Sequence, residues 1–179
     1  MATRSNIVIG NFEGKHTRKN LEKKESIILF NMWDSYIENL GEDLKKFLNC
    51  GSTQLARYNK GNFATWLLMY LKTDYLKTLQ QHYKEHELYE NQIPNDMNDI
   101  LGYNFNFRDS QIGECLIEGI EYLYVFDFDT RLLYMYSCSY WNNRLHKKLV
   151  CTYDIFQNVE NERVQYVLNR YEEQEKAEV

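Results

Sequence analysis

The chain has 179 residues, 44% hydrophobic and 26% charged; these are the proportions of one ordinary globular domain, and they exclude disordered, collagen-like and coiled-coil classes. A formal charge of -5 argues against a generic nucleic-acid binder, which carries a basic excess. Against one Pro and eight Gly stand fifteen Tyr, nine Phe and three Trp, so aromatic packing or aromatic binding surfaces are expected.

Ser5 to Ile9 (SNIVI) is a β-branched run that predicts a strand. Asn11-Phe12-Glu13-Gly14 supplies turn chemistry, with Gly14 at the positive-φ position. Lys15 to Lys24 holds Lys15, Arg18, Lys19, Lys23 and Lys24 against Glu22 alone, which reads as a solvated loop or a charged strand edge. Ser26 to Met32 predicts a second strand paired with the first. After Trp33-Asp34-Ser35-Tyr36, the spacing of Leu40, Leu44, Phe47 and Leu48 predicts a helix over 39–49 that Gly51 stops. The longest helical pattern runs over 62–88. There Phe63, Trp66, Leu67 and Tyr70 share one stripe, with Met69, Leu76 and Tyr83 at seven-residue intervals, and the WLLMYL run marks it as the central core helix.

Ile93-Pro94 breaks that pattern, and 95–110 reads as a long polar connection. Strands then follow in EYLYVFDF, LLYMYSCSY and LVCTYDIF, the first two joined by a hairpin at Asp129-Thr130-Arg131. Tyr122, Tyr124, Phe126 and Phe128 alternate with Leu123 and Val125, so both faces of this hairpin need cover. A last helix is expected over 158–176, with Val159, Val164, Val167 and Leu168 inward. The expected fold is α+β: an antiparallel sheet of about five strands with helices packed on it, forming a single domain over 1–179 whose acidic end, 172–179, frays. Cys50, Cys115, Cys138 and Cys151 lack CxxC spacing and read as reduced, buried thiols. With no membrane-length apolar run and no secretory core at the start, a cytoplasmic protein is expected.

Two motifs invite chemistry. His82-Tyr83-Lys84-Glu85-His86 fits H-x-x-E-H, in which two histidines one helical turn apart hold Zn²⁺ and the Glu activates a water. Its flanks, QQHYKEHELYEN, are strongly polar, and no third ligand announces itself. The simpler reading is a solvated helix end. Tyr124 to Thr130 ends in D-x-D-T (Asp127, Asp129, Thr130), similar to the D-x-D-x-T strand end of haloacid-dehalogenase-type phosphotransferases. A second strand follows where that chemistry needs a crossover helix, so turn aspartates are the better account. No nucleotide or cofactor motif is present, and no cofactor is expected. His146 among Arg144, Lys147 and Lys148 makes a basic patch beside Trp141, read here as a hairpin loop of mixed charge.

The opening M-A-T-R-S-N-I-V-I resembles an uncharacterised family of bacteriophage and mobile-element proteins that begins with a near-identical strand. That family continues with a segment like Y-R-H-W-D-G-Y-P, matched by Phe30-Asn31-Met32-Trp33-Asp34-Ser35-Tyr36-Ile37, and carries a strand similar to Ile120-Glu121-Tyr122-Leu123-Tyr124. The family's Arg-His pair is Asn31-Met32 in this chain, so any activity that used that His is lost. Trp33, Asp34 and Tyr36 remain, as do Thr3 and Arg4. Asp34 is expected to pair with Arg4 or to cap the following helix.

These features imply a small cytosolic binding protein of phage type. It would act by protein–protein contact on a host protein, as a counter-defence inhibitor of the anti-CRISPR kind. The candidate binding residues are Arg4, Trp33, Asp34, Tyr36 and Trp141. Two alternatives stand beside it: a nucleotide or nucleic-acid binder using Arg4, Lys15 to Lys24 and Trp141 to Lys148, and a zinc hydrolase using His82, Glu85 and His86.

Overall fold

The computed structural model describes residues 3–31, 35–50, 59–86, 111–113, 115–141 and 144–156; of 74–86, 111–112 and 141 it describes the backbone alone. Six strands among the described residues form one sheet: β1 (Ser5–Gly10), β2 (Ile27–Asn31), β3 (Gln111–Gly113), β4 (Tyr122–Asp127), β5 (Leu132–Trp141) and β6 (Arg144–Asp154), in the order β3-β2-β1-β4-β5-β6. The helices among the described residues are α1 (Arg18–Leu21), α2 (Glu42–Asn49) and α3 (Lys60–His86), with a turn of π-helix at Ile37–Gly41 leading into α2.

The sheet is mixed rather than antiparallel as expected. β1 runs antiparallel to β2 but parallel to β4, with Ser5 opposite Tyr122 and Gly10 opposite Asp127. Hydrophobic pattern sets which face of a strand is buried, not the direction of its neighbour, and a long connection permits either. What the pattern does carry is centrality. Every residue of β1 is buried, as befits a strand covered on both faces.

One face presents Ile7, Ile9, Leu29, Tyr124, Phe126, Leu133 and Met135 to α2 and α3, through Leu44, Phe47, Leu48, Phe63 and Leu67. The Phe63 ring meets Phe47, Phe126 and Phe128 edge-on at 5.3, 4.9 and 5.3 Å between centroids, an arrangement that adds to the burial of each ring. The opposite face presents Val8, Ile28, Leu123, Val125 and Tyr136. Among the described residues Phe12 and Leu21 from the β1–β2 connection, and Leu116 and Ile120 from the stretch before β4, form its lid. The Lys15–Lys24 segment is therefore neither a bare loop nor a strand edge. It folds back through α1 to bury His16 and Leu21.

β6 begins at Arg144, so the basic patch expected in a hairpin loop lies on a strand. The expected helix over 158–176, the tail 172–179 and the connection 95–110 lie outside the described residues. No described cysteine is wholly buried, and Cys115 is exposed, which corrects the expectation of buried thiols. No helix among the described residues is long and apolar enough to cross a membrane.

Candidate functional site

β1 and β4 are parallel, so their C-terminal ends lie side by side, and the turn after β1 closes over the end of β4. Glu13 and Gly14 adopt positive φ (50° and 72°), which bends the chain so that the backbone N–H groups of Phe12 and Gly14 converge on Asp127. Its Oδ1 accepts from Phe12 N at 3.1 Å and Asp129 N at 3.2 Å; Oδ2 accepts from Gly14 N at 2.8 Å. His16 Nε2 also lies 3.0 Å from Oδ2, and His16 Nδ1 lies 2.7 Å from the Tyr136 hydroxyl. Asp129 takes a parallel role outside, accepting from Glu13 N at 3.1 Å and from the Asn11 side chain.

The electrostatics follow from this geometry. Burial raises the carboxyl pKa of Asp127, but the N–H of Gly14, the His16 ring and the N–H groups of Phe12 and Asp129 outweigh it and hold Asp127 below its ordinary 3.8. Burial lowers His16 below 6.5 despite the carboxylate beside it. Asp127 is thus ionised and accepts only, so neutral His16 donates from Nε2, and Nδ1 accepts the Tyr136 O–H. The Tyr136 phenol is pushed up to about 12, chiefly by burial.

An Asp–His–hydroxyl line resembles the relay that activates a nucleophile. Here all three members are buried, and each polar atom of the line is satisfied from within. The arrangement fastens the β1–β2 connection onto the sheet. It also revises the reading of the Asp127-Phe128-Asp129-Thr130 segment, since Asp127 is a buried acceptor of four hydrogen bonds rather than a turn residue. A nucleophilic carboxylate would need to meet a substrate, and this one is sealed.

The opposite end of the sheet brings together three of the residues first singled out as binding candidates, Arg4, Tyr36 and the backbone of Trp141. Arg4 precedes β1 and is exposed, while its carbonyl accepts from Glu121 N at 2.9 Å and Tyr122 N at 3.2 Å. Tyr36 is exposed and sets its ring edge-on to Tyr122 at 5.9 Å. β5 runs past Ser137, the partner of Tyr122, to Trp141 at this same end. Trp33 and Asp34 lie outside the described residues, and with them the expected Arg4–Asp34 pair. Ser35 between them and Tyr36 is wholly buried. Its hydroxyl accepts from Ser5 Oγ and Asn31 Nδ2, each at 2.9 Å, and its carbonyl accepts from the Tyr124 hydroxyl at 2.7 Å. Ser35, the third residue of W-D-x-Y, is therefore pinned to the sheet.

H-x-x-E-H falls on the last turn of α3, with its side chains outside the described residues. Among the described residues no group of three His, Cys, Asp or Glu is placed to hold a metal ion. The surface that helical spacing misjudged is nearer the start of α3. Phe63 and Leu67 are buried, whereas Trp66 and Met69 stay 45% and 46% exposed on the outward side. An all-round apolar run hides which side faces out, and only the polar residues interleaved with it, Asn62, Thr65 and Thr73, mark that side.

A scan against models of protein families, a search of curated proteins and a search of solved structures each return no match.

Proposed function

We propose that this chain is a binding protein of the bacteriophage or mobile-element type that acts by protein–protein contact, occupying a component of a host defence system such as a CRISPR effector. The observation that carries the contact reading is the outward pair Trp66 and Met69 on α3, about half exposed on a helix that buries Phe63, Ala64 and Leu67 on its inner side. Trp is the residue type most enriched among interface hot spots, and Met adapts its shape to a partner. Exposed Tyr36, at the Arg4 end of the sheet, supplies a further aromatic contact. The sealing of His16, Asp127 and Tyr136 supports the same reading, because the one relay-like constellation among the described residues is committed to holding the fold. The phage assignment rests on the likeness of the opening strand and the W-D-x-Y turn to that family.

The test is biological interference. Expressed in a bacterium carrying an active CRISPR system, the parent chain raises the plating efficiency of a targeted phage, and the Trp66→Ala/Met69→Ala variant does not. Both proteins unfold at the same urea midpoint. Equal protection by the variant, or no protection by the parent against any CRISPR type tried, overturns the reading. So does tight, salt-dependent binding of labelled RNA or DNA, which moves the assignment to nucleic acid.

A further inference from the structure

We propose that the outer edge of β6 is a docking site for an extended acidic segment of a partner protein, which adds to the sheet as a seventh strand. β6 spans 11 residues, about twice the usual strand length, and among the described residues it pairs with β5 alone. Half of its backbone N–H and C=O groups therefore point away from the sheet, the template that strand addition uses.

The register shows which side chains a partner strand would meet. Arg144, His146 and Lys148 stand opposite Trp141, Ser139 and Ser137, so all three lie on one face of β6 at two-residue spacing. Leu145, Lys147 and Leu149 lie on the other face, opposite Tyr140, Cys138 and Tyr136. The Lys147 ammonium sits 5.3 Å from the centre of the Tyr136 ring. Past this stretch the register shifts at Val150, and Leu149 and Val150 are left 47% and 52% exposed. No acidic residue interrupts β6 before Asp154. On a chain of net charge -5, this is a local cationic row ending in an apolar step.

Charge selects the occupant. Opposite charges facing each other across strands stabilise a pair, and like charges destabilise it. A second copy pairing antiparallel about His146 would set Arg144 against Lys148 twice, so the row disfavours self-association. A strand with Glu or Asp at alternate positions, followed by apolar residues, meets Arg144 and Lys148 with opposite charge and covers Leu149 and Val150. The proposal rests on the protein-contact reading only in taking the partner to be a polypeptide; it uses a different surface from Trp66 and Met69.

The probe is a labelled synthetic peptide as long as β6, with Glu alternating with Thr and ending in Val-Val, compared with its Lys-for-Glu counterpart. The Glu peptide should bind the full chain, slow hydrogen exchange at β6 amides, and lose affinity by about tenfold or more when salt screens the row. Arg144→Glu/Lys148→Glu should reverse the preference between the two peptides, while the milder Arg144→Gln/Lys148→Gln weakens the Glu peptide alone. Since both residues are exposed, the parental urea midpoint is expected for each variant. No binding, equal binding of the two peptides, or binding unchanged by the substitutions overturns the proposal. Concentration-dependent dimerisation through β6 in sedimentation also overturns it, in favour of a second copy. None of these outcomes bears on α3, so phage protection lost through Trp66 is read separately.

Discussion

Asp127 shows how much one side chain holds. Asp127→Ala strands the N–H groups of Phe12, Gly14 and Asp129 together with the His16 ring, and a cost of about 3 kcal/mol or more is expected. That exceeds what a hairpin turn residue would cost, and urea unfolding measures it. Tyr136→Phe removes only the hydroxyl that His16 Nδ1 accepts, a loss of about 1 kcal/mol. The pH dependence follows from the same two groups. His16 is lowered from 6.5 in the fold, so the unfolded chain takes up a proton near 6.5 that the folded chain refuses. Its contribution is complete above 6.5 and declines as pH falls from there towards the folded value. Asp127, held below 3.8, contributes above that value, and its contribution is lost as pH falls through the folded pKa. Both make the fold acid-sensitive, in two steps. In a urea series across pH, His16→Gln should abolish the upper step and keep the lower one. Asn6 makes the opposite case. Its amide is wholly buried, lies on the face with Val8 and has no hydrogen-bond partner among the described residues. Asn6→Leu should raise stability by about 1 kcal/mol or more, because burying an unpaired amide costs about that much, and the urea midpoint should move up.

At the level of elements, apolar spacing located most of what was built. Strands were expected at 5–9, 26–32 and 120–128 and stand at Ser5–Gly10, Ile27–Asn31 and Tyr122–Asp127. Leu40, Leu44, Phe47 and Leu48 were read as one inward stripe and are all buried. What spacing could not supply was any partner chosen through space. His16 sits in a basic stretch that reads as solvent-facing, and only the arrival of Asp127 and Tyr136 makes it a buried residue. The outward side of α3 was illegible for a similar reason, since WLLMYL offers an apolar residue in every direction. The two sides of that helix should therefore respond differently to truncation. Phe63→Ala opens a cavity among Phe47, Phe126 and Phe128 and should cost about 3 to 5 kcal/mol, whereas Trp66→Ala should stay within about 1 kcal/mol. At the β1 end, a Cβ on Gly10 would come within 2.4 Å of the Phe12 ring. Gly10→Ala should displace that ring from its lid position and cost about 1 to 3 kcal/mol.

Across the whole molecule, the sheet joins a local part to a distant one. β4, β5 and β6 form a meander through adjacent hairpins, while β1 reaches β4 only after the chain has passed through β2, α2, α3 and β3. Closing that long loop costs entropy before any contact repays it. The meander should therefore form in the folding transition state and β1 should dock late. In chevron analysis, Leu133→Ala should slow folding with a φ-value of about 0.5, and Ile7→Ala should mainly speed unfolding with a φ-value near zero. The parallel junction also matters during translation. Ile7, Val8, Ile9, Ile28 and Leu29 leave the ribosome long before the strand that covers their open side has been made. Throughout that interval the β1 and β2 segments lack both of the strands that flank them in the finished sheet, β4 beside β1 and β3 beside β2, and such exposed apolar strand segments aggregate or recruit chaperones. A cell making this protein quickly would thus meet its most adhesive surface before its finished one.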